Sequence, residues 1–177
     1  MLRTLEQERA NYAWKCINAI KANNRKRIDE ESGLLSKIIE IRKESLKKRI
    51  KEEEKVKEEL DKEIKSYYDN IEKKYRPYIT KTPTLIQTNG LGNTLAFYKS
   101  KFGQEKEEKL SAEKRAYKLL YEHINTWFKE RFENRDILEW IIDENTSSID
   151  VFKATKEVLA LLNWMKRFAE AELKEEG

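Results

Sequence analysis

The sequence is poor in the residues from which most enzyme sites are built. It has one cysteine and one histidine in 177 residues. With Cys16 alone, no intrachain disulfide and no cysteine-rich metal site can form. With His123 alone, a histidine-based metal centre is limited to a single such ligand. Ser/His or Cys/His catalysis would need these lone residues to converge with a third group, and nothing in the pattern suggests it. Two prolines and five glycines leave few breaks. No apolar run approaches the roughly 18 residues of a membrane span, and no apolar signal core opens the chain. The reading is a soluble, cytoplasmic protein. Strong alternation of β-branched residues is absent, as is an internal repeat of about 20–50 residues.

What is plentiful is charge and helix former. Charged residues make up 40% of the chain and apolar ones 38%. Leu, Ile, Lys, Glu and Ala dominate, which points to helices. The abundance of Lys and Glu, with only three Gln, resembles a thermophilic composition. A chain of this length is usually one domain, able to bury roughly 70% of its unfolded surface. The expected fold is all-α, a single domain over residues 1–177 with about six or seven helices. The net charge of +4 is uneven: residues 1–78 carry 21 Lys/Arg against 16 Asp/Glu, and residues 79–177 carry 16 against 17. So modest an excess does not declare a nucleic-acid partner; placement must do that.

Periodicity and caps place the elements. Thr4 with Gln7 is a capping box opening a first helix. Its apolar face is Leu5, Tyr12, Ala13, Cys16, Ile17 and Ile20, and Trp14 lies off that face. Asn23-Asn24 and Ser32-Gly33 are breaks. From Leu34 to Tyr75 there is no Gly or Pro, and a thin apolar seam suggests one long charged helix, about 63 Å if straight. It is expected to overhang the body, partly clamped by the first helix, in preference to a bend where charge interrupts the seam at Lys51–Lys55. Pro77 is expected to end it, and Pro83 to open another helix. Asn89-Gly90 reads as a stop, with both residues tolerant of a left-handed backbone. Leu91, Leu95, Tyr98 and Phe102 follow as one stripe, flanked by Lys99 and Lys101. Further helices are expected over Leu110–Phe132, over Ile137–Ile142 capped by Asp136, and over Ile149–Leu173 opened by Thr146-Ser147-Ser148. The core face of the last is Val151, Phe152, Thr155, Val158, Leu159, Leu162, Met165 and Ala169.

His123 falls between Ala116, Leu120 and Trp127, on the apolar face of its helix, and reads as a core histidine. Asp143, Glu144 and Asp150 come nearest to a carboxylate cluster, but helix-end and capping roles account for them. The chain reads as a non-enzyme, with no catalytic residue, metal or cofactor. The sharper signal is on the last helix, opposite its core face. Lys153, Lys156, Ala160, Asn163, Trp164, Arg167, Ala171 and Lys174 recur at steps of three and four, with Glu157 and Glu170 at the border. Such a stripe suits a phosphate backbone, and Trp164 offers a face for a stacked base. On the residues alone, an ordinary solvated face with Trp164 packed on a neighbouring helix is the favoured reading. Trp14 and Phe97, both off their main stripes, are candidates for protein–protein contact.

From Lys73 to Gln104 there is no acid, yet six cations occur. Within that run, Leu85-Ile86-Gln87-Thr88-Asn89-Gly90-Leu91-Gly92 and Thr94-Leu95-Ala96-Phe97-Tyr98 closely resemble the small, all-helical subunit of the type III-B CRISPR Cmr effector. So do Thr4-Leu5-Glu6-Gln7-Glu8-Arg9, Tyr117-Lys118-Leu119-Leu120-Tyr121, Ala160-Leu161-Leu162-Asn163-Trp164 and Arg167-Phe168-Ala169-Glu170-Ala171. Residues from about Arg25 to Glu63 match least. The resemblance implies a non-catalytic subunit of an RNA-guided ribonucleoprotein in antiviral defence. It implies stacking with copies of itself and with the large subunit along the guide RNA–target RNA duplex, with cleavage performed by another subunit. Under it, Lys153, Lys156, Asn163, Trp164, Arg167, Lys99 and Lys101 are the expected RNA-binding residues. A purely structural protein-interaction subunit without RNA contact is the alternative.

Overall fold

The computed structural model describes residues 2–177, and among these it contains eight α-helices and no strand, one or two helices more than expected. They are α1 (Leu5–Ile20), α2 (Ala22–Ser32), α3 (Leu34–Lys47), α4 (Glu53–Asn89), α5 (Leu91–Phe102), α6 (Ala112–Arg131), α7 (Ile137–Ile142) and α8 (Ser148–Glu172); a 3-10 turn at Glu107–Lys109 precedes α6. None of them is long and apolar enough to cross a membrane.

The caps appear where the sequence placed them. The Thr4 hydroxyl accepts from Gln7 N–H while the Gln7 side chain accepts from Thr4 N–H. Asp136 caps α7 and Ser147 caps α8. The first break comes earlier than Asn23. Helix α1 stops at Ile20, and the buried Glu72 carboxylate receives the Ala22 N–H that opens α2. The other Glu72 oxygen receives the Lys174 N–H, so one carboxylate on α4 fixes both an N-terminal corner and the C-terminal tail.

Helix α4 is the axis, packing on α1, α2, α3, α5, α6 and α8. It corrects two expectations. The stretch 34–75 is not one overhanging helix: the chain breaks at residues 48–52 and α4 folds back along α3. Arg42 of α3 lies 3.7 Å from Glu63 and over the ring of Tyr67. A straight helix would leave Leu35, Ile38 and Leu46 in water. Folding back buries them with Val56, Leu60 and Ile64, at about 1.5–3 kcal/mol per fully buried side chain. The charged interruption of the seam is where the chain turns.

The second correction concerns the prolines. Pro77 does not end the helix and Pro83 does not begin one; both lie inside α4. Each removes a backbone donor, at about 3 kcal/mol in a helix interior. Burial of Tyr75, Ile79, Thr82 and Ile86 on the same turns offsets that cost. The hydroxyls of Thr80 and Thr82 bond back to the carbonyls of Arg76 and Tyr78.

Two face assignments also change. Leu5 and Phe152 are 42% and 59% exposed, so neither belongs to the core. On α8 the buried ridge is Ala154, Val158, Leu161, Leu162, Met165 and Ala169.

Below α6 sits a buried ion pair. Arg115 and Asp29 are each 1% exposed, and the guanidinium donates to both carboxylate oxygens at 2.9 Å. Tyr68 donates to the same carboxylate, Arg25 stands 3.3 Å from it, and Glu107 stands 3.2 Å from Arg115 Nε. Burial opposes the Arg115 charge, but Asp29 more than offsets this and holds its pKa above the ordinary value.

Gly90, between α4 and α5, has φ +85°, a conformation that strains any residue with a Cβ. Gly90→Ala is therefore expected to cost about 1 kcal/mol or more, measured as a lower urea midpoint. Arg115→Met should cost about 3–5 kcal/mol by stranding Asp29, while Asp29→Leu combined with Arg115→Met should recover much of the loss. Denaturation midpoints of the single and double variants test this, and equal instability of the two would reject it.

Candidate nucleic-acid interface

Helix α8 buries its ridge against α1 and α4 and turns its other side outward. Lys153, Lys156, Asn163 and Arg167 are exposed there, with Ala160 and Trp164 half-buried among them. Among the described residues, Lys153, Lys156 and Arg167 make no ion pair, and Lys156 lies over the exposed ring of Phe152 at 4.9 Å. From Lys153 to Arg167 the stripe runs about 21 Å at 1.5 Å per residue.

The fold adds to this face what the helical wheel of α8 could not contain. Glu6 of α1 crosses to it and accepts the Trp164 indole N–H at 2.6 Å. Glu6, Ala160, Asn163, Trp164 and Arg167 line a cleft of about 320 Å³. Arg9 pairs with Glu6 on its own helix at 3.0 Å and reaches across to Glu157 of α8 at 2.6 Å. With the Trp127 N–H, Arg9 holds the Glu157 carboxyl below its usual range, its hydrogen bond being the larger influence. Glu6 and Glu157 are thus engaged by Arg9, whereas Glu170, at the border near Arg167, is exposed and makes no ion pair among the described residues. The three α8 cations remain as unpaired charge.

Trp164 is less free than expected. Its N–H is taken and its ring packs on Phe168 at 5.6 Å. Trp14, 41% exposed, meets the other side of Phe168 edge-on at 5.3 Å. The three rings form one aromatic row along the α1–α8 seam. Lys174, at the foot of the stripe, pairs with Asp69 at 2.9 Å. Of the second candidate pair, Lys99 turns to Asp136 at 4.0 Å and over Tyr121. Lys101 is exposed over Phe97 at 4.8 Å. Helix α5 packs on α4, α6 and α7, whereas α8 packs on α1, α4 and α6. The two lysines therefore do not join the α8 stripe. Glu6, Arg9 and Phe168 were missed as parts of this face. Their signal lay in the Thr4–Arg9 and Arg167–Ala171 blocks, without any hint that the two meet.

Of the groups weighed for catalysis, His123, Asp143 and Asp150 have hydrogen-bond partners within the fold. Tyr75 bonds His123 Nδ1 at 2.7 Å, and Tyr12 donates to the His123 carbonyl. Burial pushes the imidazole down to about 3 and the Cys16 thiol up to about 12. Asp143 accepts from Asn145 N–H and Arg135, and Asp150 bonds Ser147. Among the described residues, no three His, Cys, Asp or Glu side chains are grouped to hold a metal ion.

A sequence model of a family described as CRISPR-associated protein (Cas_Cmr5) matches residues 52–172, well over half of the chain. The chain belongs to the Cas_Cmr5 family. The family is a small structural subunit of the effector, and its known setting is the type III-B CRISPR Cmr complex. The Cas_Cmr5 match begins one residue before α4 and ends with α8, leaving α1, α2 and α3 outside it. The α8 stripe and the α4–α5 corner both lie within the Cas_Cmr5 span. Arg9 and Glu6 do not.

The His123 geometry predicts a pH dependence. In the unfolded chain this imidazole takes up a proton near pH 6.5, while the folded one resists protonation until about 3. Its contribution to stability is whole above about pH 6.5 and shrinks as pH falls toward 3, by up to about 1.4 kcal/mol per unit. The stability advantage of the native protein over His123→Gln should therefore narrow between about pH 7 and pH 4, measured by urea unfolding at each pH.

Proposed function

We propose that this chain is the non-catalytic RNA-holding small subunit of a CRISPR RNA-guided Cmr effector. It lies along the guide–target duplex with its α8 face on the target strand. The observation that carries the reading is the row of Lys153, Lys156 and Arg167, which makes no ion pair among the described residues while Glu6 and Glu157 are engaged by Arg9. Cations at helical spacing meet phosphates without reading sequence, so binding would be salt-dependent and sequence-tolerant. Asn163 adds a donor and acceptor beside them. The large subunit and further copies of this chain are the protein neighbours, with the exposed edge of Trp14 as one contact.

A second reading, a subunit that touches only protein, is favoured by one observation. Ile142, Ile149 and Phe152, at the α7–α8 junction, are 74%, 65% and 59% exposed. Such apolar surface suits a protein neighbour. It adjoins the start of the stripe, and the two readings are separated by salt.

The test is RNA binding by the assembled effector over a salt series. Replacing Lys153, Lys156 and Arg167 together by Ala should lower the salt slope by about 2, at roughly 0.7 per single-strand phosphate contact. Each change should alter subunit stability by no more than about 0.5 kcal/mol. Normal assembly with an unchanged slope would reject the α8 face as the RNA surface.

A further inference from the structure

The corner between α4 and α5 carries a second recess, lined by no residue of α8. Leu85, Asn89, Asn93, Thr94 and Phe97 line a cleft of about 270 Å³. Two rows converge on it. On α4, Lys81, Leu85 and Asn89 follow one another at intervals of four residues; on α5, Asn93, Phe97 and Lys101 do the same in the opposite chemical order. Residues four apart share a helix face. The turn at Gly90 brings the two asparagines to one cleft with Leu85 and Phe97, while Lys81 stands further along the α4 row and Lys101 lies over the Phe97 ring at 4.8 Å.

The state of each side chain narrows what fits. Asn89 and Asn93 are exposed, and among the described residues their carboxamides make no hydrogen bond. Those of Asn24, Asn70 and Asn125 are bonded. The Thr94 hydroxyl is occupied by the Gly90 carbonyl, so the two amides are the cleft's free polar groups. Phe97 is 46% exposed, meets Tyr98 and Tyr117, and carries Lys101 over its ring at 4.8 Å, a cation that an incoming base would displace toward its own phosphates. Lys81 and Lys101 are exposed and form no ion pair among the described residues. No acid occurs from residue 73 to 104. The volume is below the roughly 300 Å³ at which sites for drug-sized ligands begin, and suits one planar ring.

We propose that this corner takes one unpaired base of an RNA strand. The base stacks on Phe97, its edge is bonded by Asn89 and Asn93, and the flanking phosphates lie toward Lys81 and Lys101. Aromatic stacking with edge contacts is how splayed-out single-stranded bases are held, and carboxamides pair with base edges. An apolar side chain from a protein neighbour would use Leu85 and Phe97 but would leave both amides and both lysines without a role. The sequence placed Phe97 in a protein interface; its surroundings favour a base. The inference rests on the reading that RNA passes over this subunit, but not on which residues of α8 it meets.

The experiment uses the assembled effector with target RNA carrying 4-thiouridine at successive positions, near-ultraviolet irradiation and mass-spectrometric mapping of the crosslinks. A crosslink is expected within residues 81–101, at one or a few RNA positions only. Phe97→Ala should lower its yield about fivefold or more, the low end for a stacked base. Phe97→Trp should retain it, and Asn93→Asp should weaken it by adding a negative charge beside the strand. Crosslinks on α8 with none in residues 81–101 would overturn this inference and leave the proposed function standing. Crosslinks on neither would overturn both. Loss of a protein subunit from the effector on Phe97→Ala, with the crosslink unchanged, would assign the cleft to a protein neighbour.

Discussion

The fold hangs on a charge pair hidden from water. Asp29 sits on α2 and Arg115 on α6, with the hydroxyls of Tyr67 and Tyr68 on α4 against them. Two opposite charges in a dry interior are tolerable only together and only when hydrogen-bonded. Both conditions are met, so α2, α4 and α6 are locked in one relative placement. Apolar contact alone fixes position less well, because oily surfaces slide. The pair also joins a helix outside the Cas_Cmr5 span to two within it. The charged N-terminal segment is thereby an integral part of the body.

The same logic recurs at Glu72. A single buried carboxylate satisfies one orphan N–H at the start of α2 and another in the tail after α8. Arg76 supports the second by donating to the Leu173 carbonyl. Side chains on the central axis thus bond both the start of α2 and the tail after α8. Such bonds leave the outer faces of α5 and α8 with charge that no internal partner claims.

What the sequence disclosed, and what it did not, follows from the range of each interaction. Caps are local, and Thr4, Asp136 and Ser147 were all legible. Helix α6 was legible because Leu119, Leu120, Ile124, Trp127 and Phe128 make a strong stripe. Its one misleading member was Arg115, which looks like a surface residue until Asp29 is brought beneath it. The prolines misled because their local cost is visible and the burial that offsets it is not. The α3–α4 turn was half legible: the charged gap was visible, but whether the chain bent there depended on what α3 could bury against. On α8 the stripe of cations was legible from spacing. Glu6 and Arg9, which change its electrostatics, arrive from some 150 residues away in sequence and could not be.

The pairing of α1 with α8 bears on how the protein is made. Arg9 reaches Glu157 across 148 residues and Lys21 reaches Glu172 across 151. Among the described helices, α1 has as its main partner α8, which is made long after it. Throughout synthesis the apolar side of α1, with Ala13, Cys16, Ile17 and Ile20, lacks that cover. A chain stalled or clipped before α8 keeps this surface open to chaperones and proteases. The α1–α8 face is thus finished only once α8 has docked, and until then it is no surface to offer an assembly.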